Sequence, residues 1–146
     1  MNGIASGHYH LAGVAGVGMS ALAQVMCDAG YEVSGSDRHA DSGRDMDVLR
    51  KLMAGGVRIV PQDGSGIRDG TRGLVISTAI EDTNPDIAAA RGRGVPVLHR
   101  AEVLADMANG KRCLAVTGTC GKSTVTGMLG WLLEQMGSDP TVVNGA

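Results

Sequence analysis

The stretch "HLAGVAGVGMSALAQVMCDAGYEVSGSD", residues 10–37, decides the architecture of this chain. A short apolar run enters a turn carrying Gly13, Gly16 and Gly18. The residues after the turn place Met19, Leu22 and Met26 at helical spacing, as on a helix with one face in a core. A second apolar run at 31–35 closes on Ser36-Asp37. The order is strand, glycine turn, helix, strand, and Gly16-x-Gly18-x-x-Ala21 has the form of the dinucleotide fingerprint that ends in Ala. Glycines let the backbone turn sharply and bring its amides against a pyrophosphate, and the helix start adds unpaired N–H groups and a positive dipole end. Ser20 can donate a further hydrogen bond. Asp37 stands about 20 residues beyond the turn, where a carboxylate can accept bonds from ribose hydroxyls. The pattern suits a nicotinamide dinucleotide and another pyrophosphate, such as a UDP-sugar, alike.

The alternation continues along the chain. Strands are predicted at 8–13, 31–35, 57–60, 73–78, 95–98, 112–117 and 141–143, and helices at 18–29, 44–54, 85–92, 100–108 and 122–136. Several of the strands are near-continuous apolar runs, as in strands buried on both faces. The class is therefore α/β, a parallel sheet with flanking helices. The last helix carries Val125, Met128, Leu129, Leu132, Leu133 and Met136 on one face, which predicts a stripe turned to a core. A polar turn, Asn109-Gly110-Lys111, divides the chain into units at 1–109 and 110–146.

Composition bounds the function. The 146 residues suit a domain of ordinary size, 43% are apolar, and with no Phe, two Tyr and one Trp the core is aliphatic. A net charge of −2, with no basic patch, speaks against a nucleic-acid partner. No apolar run is long enough to span a membrane, and the first ten residues lack a signal-peptide pattern. Cys27, Cys113 and Cys120 are odd in number without C-x-x-C spacing, and His8, His10, His39 and His99 share no metal spacing. A reducing, cytoplasmic location follows by default. Asp45 and Asp47 suit the start of a helix dipole.

"TGTCGKST", residues 117–124, is a shortened phosphate loop, G-x-x-G-K-[ST], between a predicted strand and helix. Val116 stands where a strict Walker A loop has its first glycine. The chemistry survives the shortening. Backbone amides from Gly118 through Thr119, Cys120 and Gly121 to Ser123 can surround phosphate oxygens. Lys122 supplies a point charge to the β- and γ-phosphates. The Ser123 hydroxyl can ligate Mg²⁺, with Thr124 assisting. Cys120 is read as a small tolerated residue, with a thiol activated by the helix start and Lys122 as the sharper alternative.

These constellations, in this order, resemble the Mur ligase family over nearly the whole chain. The resemblance rests on "GVAGVGMSALA" with "SGSD", on "VISTAIEDTNPDIAAARGRGVPVLHRAEVLADM", on "AVTGTCGKSTVTGM" and on "PTVVNGA". It implies a Rossmann-like first domain that binds the UDP part of UDP-N-acetylmuramate, and a central domain that uses ATP and Mg²⁺ to phosphorylate the substrate carboxylate before an amino acid's amine attacks it. Carried onto this chain, it puts Gly16, Gly18, Met19 and Ser20 at the pyrophosphate, Ser36 and Asp37 near the ribose, and Thr78 and Ala79 near the uridine. Lys122 becomes the catalytic residue, and Ser123 and Thr124 hold ATP and Mg²⁺. The amine is expected to be that of L-alanine, which Met19-Ser20 favours, with a tripeptide-adding branch as the alternative. A nicotinamide-binding oxidoreductase domain and a non-catalytic UDP-sugar-binding module are the rivals from other classes.

The chain departs from the family pattern at Cys120, where relatives carry His, at Ser123, where they carry Thr, and near Pro61-Gln62, where they carry Gly-His. The family's further Mg²⁺ ligands and amino-acid-binding domain would lie beyond Ala146. The chain is thus expected to be the first domain plus the opening strand, loop and helix of the second, without complete catalysis of its own. The apolar face of the last helix is then expected to pack on the first unit, to be exchanged with a second copy in a homo-oligomer, or to be poorly ordered.

Overall fold

In the computed structural model, which describes residues 4–42, 47–109 and 111–144, a five-stranded parallel sheet has the strand order β3-β2-β1-β4-β5. The strands are β1 (His8–Ala12), β2 (Glu32–Ser36), β3 (Arg58–Ile59), β4 (Thr71–Ile76) and β5 (Val97–His99). The helices are α1 (Val17–Asp28), α2 (Arg38–Asp41), α3 (Asp47–Ala54), α4 (Pro85–Gly92), α5 (Arg100–Ala108) and α6 (Lys122–Gln135). The chain runs outward from β1 to β2 and β3, then returns to β4 on the other side of β1. That reversal opens a crevice at the carboxyl ends of β1 and β4, where doubly wound sheets hold ligands. The α/β sheet with flanking helices is as expected. Residues 44–46 of the predicted helix 44–54, Asp45 among them, lie outside the described residues, as do Gly110 of the polar turn and Gly145-Ala146 of "PTVVNGA".

The sheet's two faces differ in chemistry. Tyr9 and Leu11 of β1 and Val33 of β2 pack with Met19, Leu22 and Met26 of α1, Leu49 and Leu52 of α3 and Val103 of α5. The predicted core face of α1 is buried as its spacing required, each large apolar side chain contributing roughly 1.5–3 kcal/mol. The opposite face has a smaller cluster of Ala12, Ile67, Leu74, Ile87 and Ala90, under α4.

Beside that smaller cluster runs a buried polar chain. The register sets His8 opposite Glu32 and Thr71, and His10 opposite Ser34, so alternate residues of β1 and β2 turn hydrophilic side chains inward. Donation in one direction satisfies every group. The Arg68 amide donates to Thr71 Oγ1 (3.0 Å), whose hydroxyl donates to His8 Nδ1 (2.9 Å). His8 Nε2–H donates to Ser34 Oγ (2.8 Å), and that hydroxyl donates to His10 Nδ1 (2.7 Å). His10 Nε2–H then donates to Asp86 Oδ2 (3.3 Å), at the start of α4. Ser36 donates to the same oxygen (2.5 Å), and the Gly64 amide donates to Asp86 Oδ1 (2.9 Å). Asp86 and His10 are both fully buried. Burial alone would raise the Asp86 carboxyl, but the hydrogen bonds from His10, Ser36 and the Gly64 amide outweigh it and hold the group below its ordinary value.

The C-terminal part departs from expectation. Residues 112–117 and 141–143 form no strand, because the sheet's ladder ends at β5 and neither segment has a neighbour to pair with among the described residues. The stripe on α6 does not face a core: Val125, Met128, Leu132 and Met136 are exposed, and Leu129 and Leu133 only half-covered. Neither apolar cluster includes a residue beyond Met107, so the C-terminal segment lies outside both. It folds on itself instead, with Val142 against Gly130 and Asn144 Nδ2 donating to the Ser123 carbonyl (3.2 Å). The four-residue α2 was not foreseen. Its start is capped by Asp37, a signal masked by the glycine-turn reading of the same residue.

The His8 ring is lowered from 6.5 to about 4, first by burial and then by the Arg68 cation. The folded-state value lies below the unfolded one, so stability from the neutral ring is complete above about 6.5 and is lost as pH falls toward about 4. An NMR titration of folded protein should give a His8 midpoint near 4, and urea midpoints should fall on acidification through that window. A folded-state midpoint near 6.5 would contradict the buried chain.

Candidate functional site

The crevice at the β1/β4 reversal is a cleft of about 590 Å³. That lies within the roughly 300–1,000 Å³ usual for small-molecule sites. Its floor is the turn between β1 and α1. Gly13 and Val14 amides both donate to the Ser36 carbonyl (2.8 and 3.0 Å), and the Gly16 amide donates to the Gly13 carbonyl (3.0 Å). Gly13 sits at φ +71°, where a side chain is strained, and a Cβ there would come within 2.9 Å of Ile80 Cδ1. Gly16 caps α1 without any side-chain hydrogen bond, and the first helical bond runs from the Ser20 amide to the Gly16 carbonyl (2.8 Å). The amides of Val17, Gly18 and Met19 are therefore left without intrahelical acceptors at a surface that lines the cleft. That arrangement suits an anion.

The predicted residues divide into two groups. Gly16, Gly18, Met19, Asp37, Thr78 and Ala79 line the cleft. Met19 does so through its backbone, since its side chain is buried in the core. Asp37 is almost fully buried, and its carboxylate already holds the turn together. Oδ2 accepts from the Ala15 amide (3.1 Å) and Oδ1 from the His39 amide (2.9 Å). Ser36 and Ser20 do not line the cleft. The Ser36 hydroxyl faces inward to Asp86, which removes it from the ribose role, and the Ser20 hydroxyl donates to the Val17 carbonyl (3.0 Å), one turn back on its own helix. Sequence reasoning assigned no site role to Arg38, Asn84 and Arg100, which also line the cleft, as does Gln62, near which the family resemblance places a Gly-His pair that this chain lacks. Arg100 had a readable signal, a cation at the first position of a helix, where the dipole disfavours it. Asn84 had none.

The loop 117–124, read from sequence as a phosphate loop, lies elsewhere, and none of its residues lines this cleft. Gly118 and Gly121 take positive φ (+155° and +76°), and Gly121 caps α6 in the left-handed conformation. Lys122 Nζ donates to the Gly118 carbonyl (2.8 Å) and more weakly to that of Thr119 (3.5 Å), so the ammonium is folded onto its own loop. The Ser123 and Thr124 hydroxyls make no hydrogen bond among the described residues, and Cys120 is an exposed free thiol. Free amides, an ammonium and two unengaged hydroxyls on the first turn of a helix are a donor set that fits a nucleotide polyphosphate with Mg²⁺.

Comparison with known proteins finds a family for the chain. The family described as "Mur ligase family, catalytic domain" matches residues 8–112. The chain is 43% identical over 139 residues to the UDP-N-acetylmuramate–L-alanine ligase of Nitrobacter winogradskyi, covering 95% of this chain and 29% of that one. It is 44% identical over 140 residues to the ligase of the same name from Methylobacterium nodulans, covering 95% and 28%. Among solved structures it is similar to the UDP-N-acetylmuramate-alanine ligase of Thermotoga maritima, with a TM-score of 0.77 and 31% identity over 88% of this chain and 29% of that one. It is also similar to a murein peptide ligase from Psychrobacter arcticus, with a TM-score of 0.78 and 26% identity over 89% and 27%. The chain thus spans under a third of the length of these relatives.

Because Asp37 both clasps the glycine turn and caps α2, Asp37→Ala should destabilise the fold by about 1–3 kcal/mol. Urea unfolding measures this, and an unchanged midpoint would show that the two amides find other partners at no cost.

Proposed function

The chain belongs to the Mur ligase family, and from that premise we propose that it forms the UDP-sugar-binding unit, with the opening of the ATP-binding unit at 110–146, of an ATP-dependent cytoplasmic ligase that joins L-alanine to UDP-N-acetylmuramate. The observation that carries the reading is the cleft at the strand-order reversal, where uncapped α1 amides face the turn that holds Thr78 and Ala79. In this reading the amides of Gly16, Gly18 and Met19 take the pyrophosphate, Asp37 lies at the ribose, and Thr78 and Ala79 lie at the uridine. The names of the relatives more than 40% identical favour alanine over a tripeptide as the incoming amine.

ATP with Mg²⁺ would supply the phosphoryl group that activates the substrate carboxylate. Lys122 would leave its loop carbonyls to neutralise charge on the transferring group, Ser123 and Thr124 would offer their hydroxyls to the metal, and the amides from Gly118 to Ser123 would hold phosphate oxygens. The amine then attacks the acyl phosphate, an amide bond forms, and inorganic phosphate leaves. This whole-protein activity is proposed for the arrangement found in the longer relatives.

Calorimetric titration with UDP-N-acetylmuramate, NAD and ATP tests the assignment. Tightest binding is expected for the UDP-sugar, and preference for NAD would replace the ligase reading with a dinucleotide-binding one. The exposed face of α6, with Met128, Trp131 and Met136 more than half accessible, is proposed to be covered by exchange with a second copy. Sedimentation velocity over a range of concentrations should then show a dimer, and a monomer throughout would exclude it.

A further inference from the structure

Arg100 differs from the paired arginines of this protein. Arg50, Arg68, Arg91 and Arg93 each pair with a carboxylate on the surface. Arg100 is half-buried, lines the cleft, and has no hydrogen bond or ion pair among the described residues. Its position is imposed by its neighbours. β5 ends at His99 and α5 begins at Arg100 with no loop between, and a capping box locks the junction. The Ala101 amide donates to His99 Nδ1 (3.2 Å), and the His99 amide donates to Glu102 Oε2 (2.9 Å). Glu102, the nearest carboxylate in sequence, is thereby committed to the backbone.

The guanidinium lies against Gly18, in the uncapped first turn of α1. A Cβ at Gly18 would fall 2.2 Å from Arg100 Nη1 and 2.9 Å from Cζ. Two positive helix ends and an arginine cation therefore meet at one wall of the cleft. The Asp37 carboxylate beside them is held by the Ala15 and His39 amides. A planar fork of donors beside free amides matches two adjacent phosphates better than one.

We infer that Arg100 is the specificity-determining residue that makes this cleft select a diphosphate, its guanidinium lying over Gly18 in the uncapped first turn of α1. The inference rests on the part of that reading that makes the cleft a nucleoside-diphosphate site, and it adds the residue that distinguishes a diphosphate from a monophosphate or a free nucleoside.

The test is calorimetric titration of the whole chain with uridine, UMP, UDP and NAD, for wild type, Arg100→Ala, Arg100→Lys and Gly18→Ala, with thermal unfolding to confirm that each variant is folded. Arg100→Ala should weaken UDP on the order of 10- to 100-fold and leave uridine unchanged, because charge-assisted bonds are lost while the base contacts stay. Arg100→Lys should recover part of the loss, since it keeps the charge and loses the fork. Gly18→Ala should weaken UDP less than Arg100→Ala, because the flexible guanidinium can shift away from the added methyl. Equal losses for UDP and either uridine or UMP, or an unchanged UDP affinity in Arg100→Ala, would overturn the inference without touching the wild-type protein's binding of UDP. Tightest binding to NAD with the same Arg100 dependence would overturn the UDP-sugar reading and keep the inference. Absence of Arg100-dependent binding to either diphosphate would overturn it.

Discussion

One buried charge organises this fold. Asp86 is inaccessible to water, and its carboxylate is stabilised by His10 from β1, Ser36 from β2 and the Gly64 amide from the turn that follows β3. Removing one partner of a buried charge typically costs about 3–5 kcal/mol, because the charge is left uncompensated. The group therefore fixes where α4 begins, and with it Asn84 and Pro85 on the cleft wall. It also orients Ser36, whose carbonyl receives the Gly13 and Val14 amides and so anchors the glycine turn. An apolar residue at 86 would bind α4 to the sheet by area alone, without choosing a register. The chain of hydroxyls and imidazoles running back to Thr71 extends the same directional constraint across β1, β2 and β4.

Around that anchor the cleft is built by backbone more than by side chains. Its electrostatics come from amides left over at the start of α1 and from Arg100, while the Asp37 carboxylate mainly holds two loops in place. This division explains why Asp37 is nearly inaccessible although it borders the site. A carboxylate that accepts two backbone amides keeps lone pairs for a third donor such as a ribose hydroxyl. Holding the two loops therefore leaves the carboxylate free acceptor capacity.

The C-terminal segment follows a different logic. Its loop is local chemistry, since Gly118, Gly121 and the start of α6 take their conformations from neighbours in sequence. The apolar face of α6 is nonlocal, and in this chain nothing among the described residues covers Met128, Trp131 or Met136. The loop before α6 thus has its turn geometry although the apolar face of its helix is exposed. The Lys122 ammonium meanwhile rests on the Gly118 carbonyl, which holds a cation at the mouth of the loop.

The sequence by itself determined the α/β alternation, the buried face of α1, the glycine turn after β1 and the loop before α6. Each of these depends on spacing within a few residues, where helix and strand periods and the conformational freedom of glycine act directly. Only the tertiary structure decided that Asp86 meets His10 and Ser36 from 76 and 50 positions away, that Arg100 lies on Gly18, and that Ser20 and Ser36 turn away from the cleft. It also decided that 112–117 and 141–143 stay outside any sheet, because an apolar run becomes a strand only where a neighbouring strand supplies its ladder. The physical reason is common to all of these: hydrogen bonds, ion placement and strand pairing are set by which distant segments are brought side by side, and no local period encodes that.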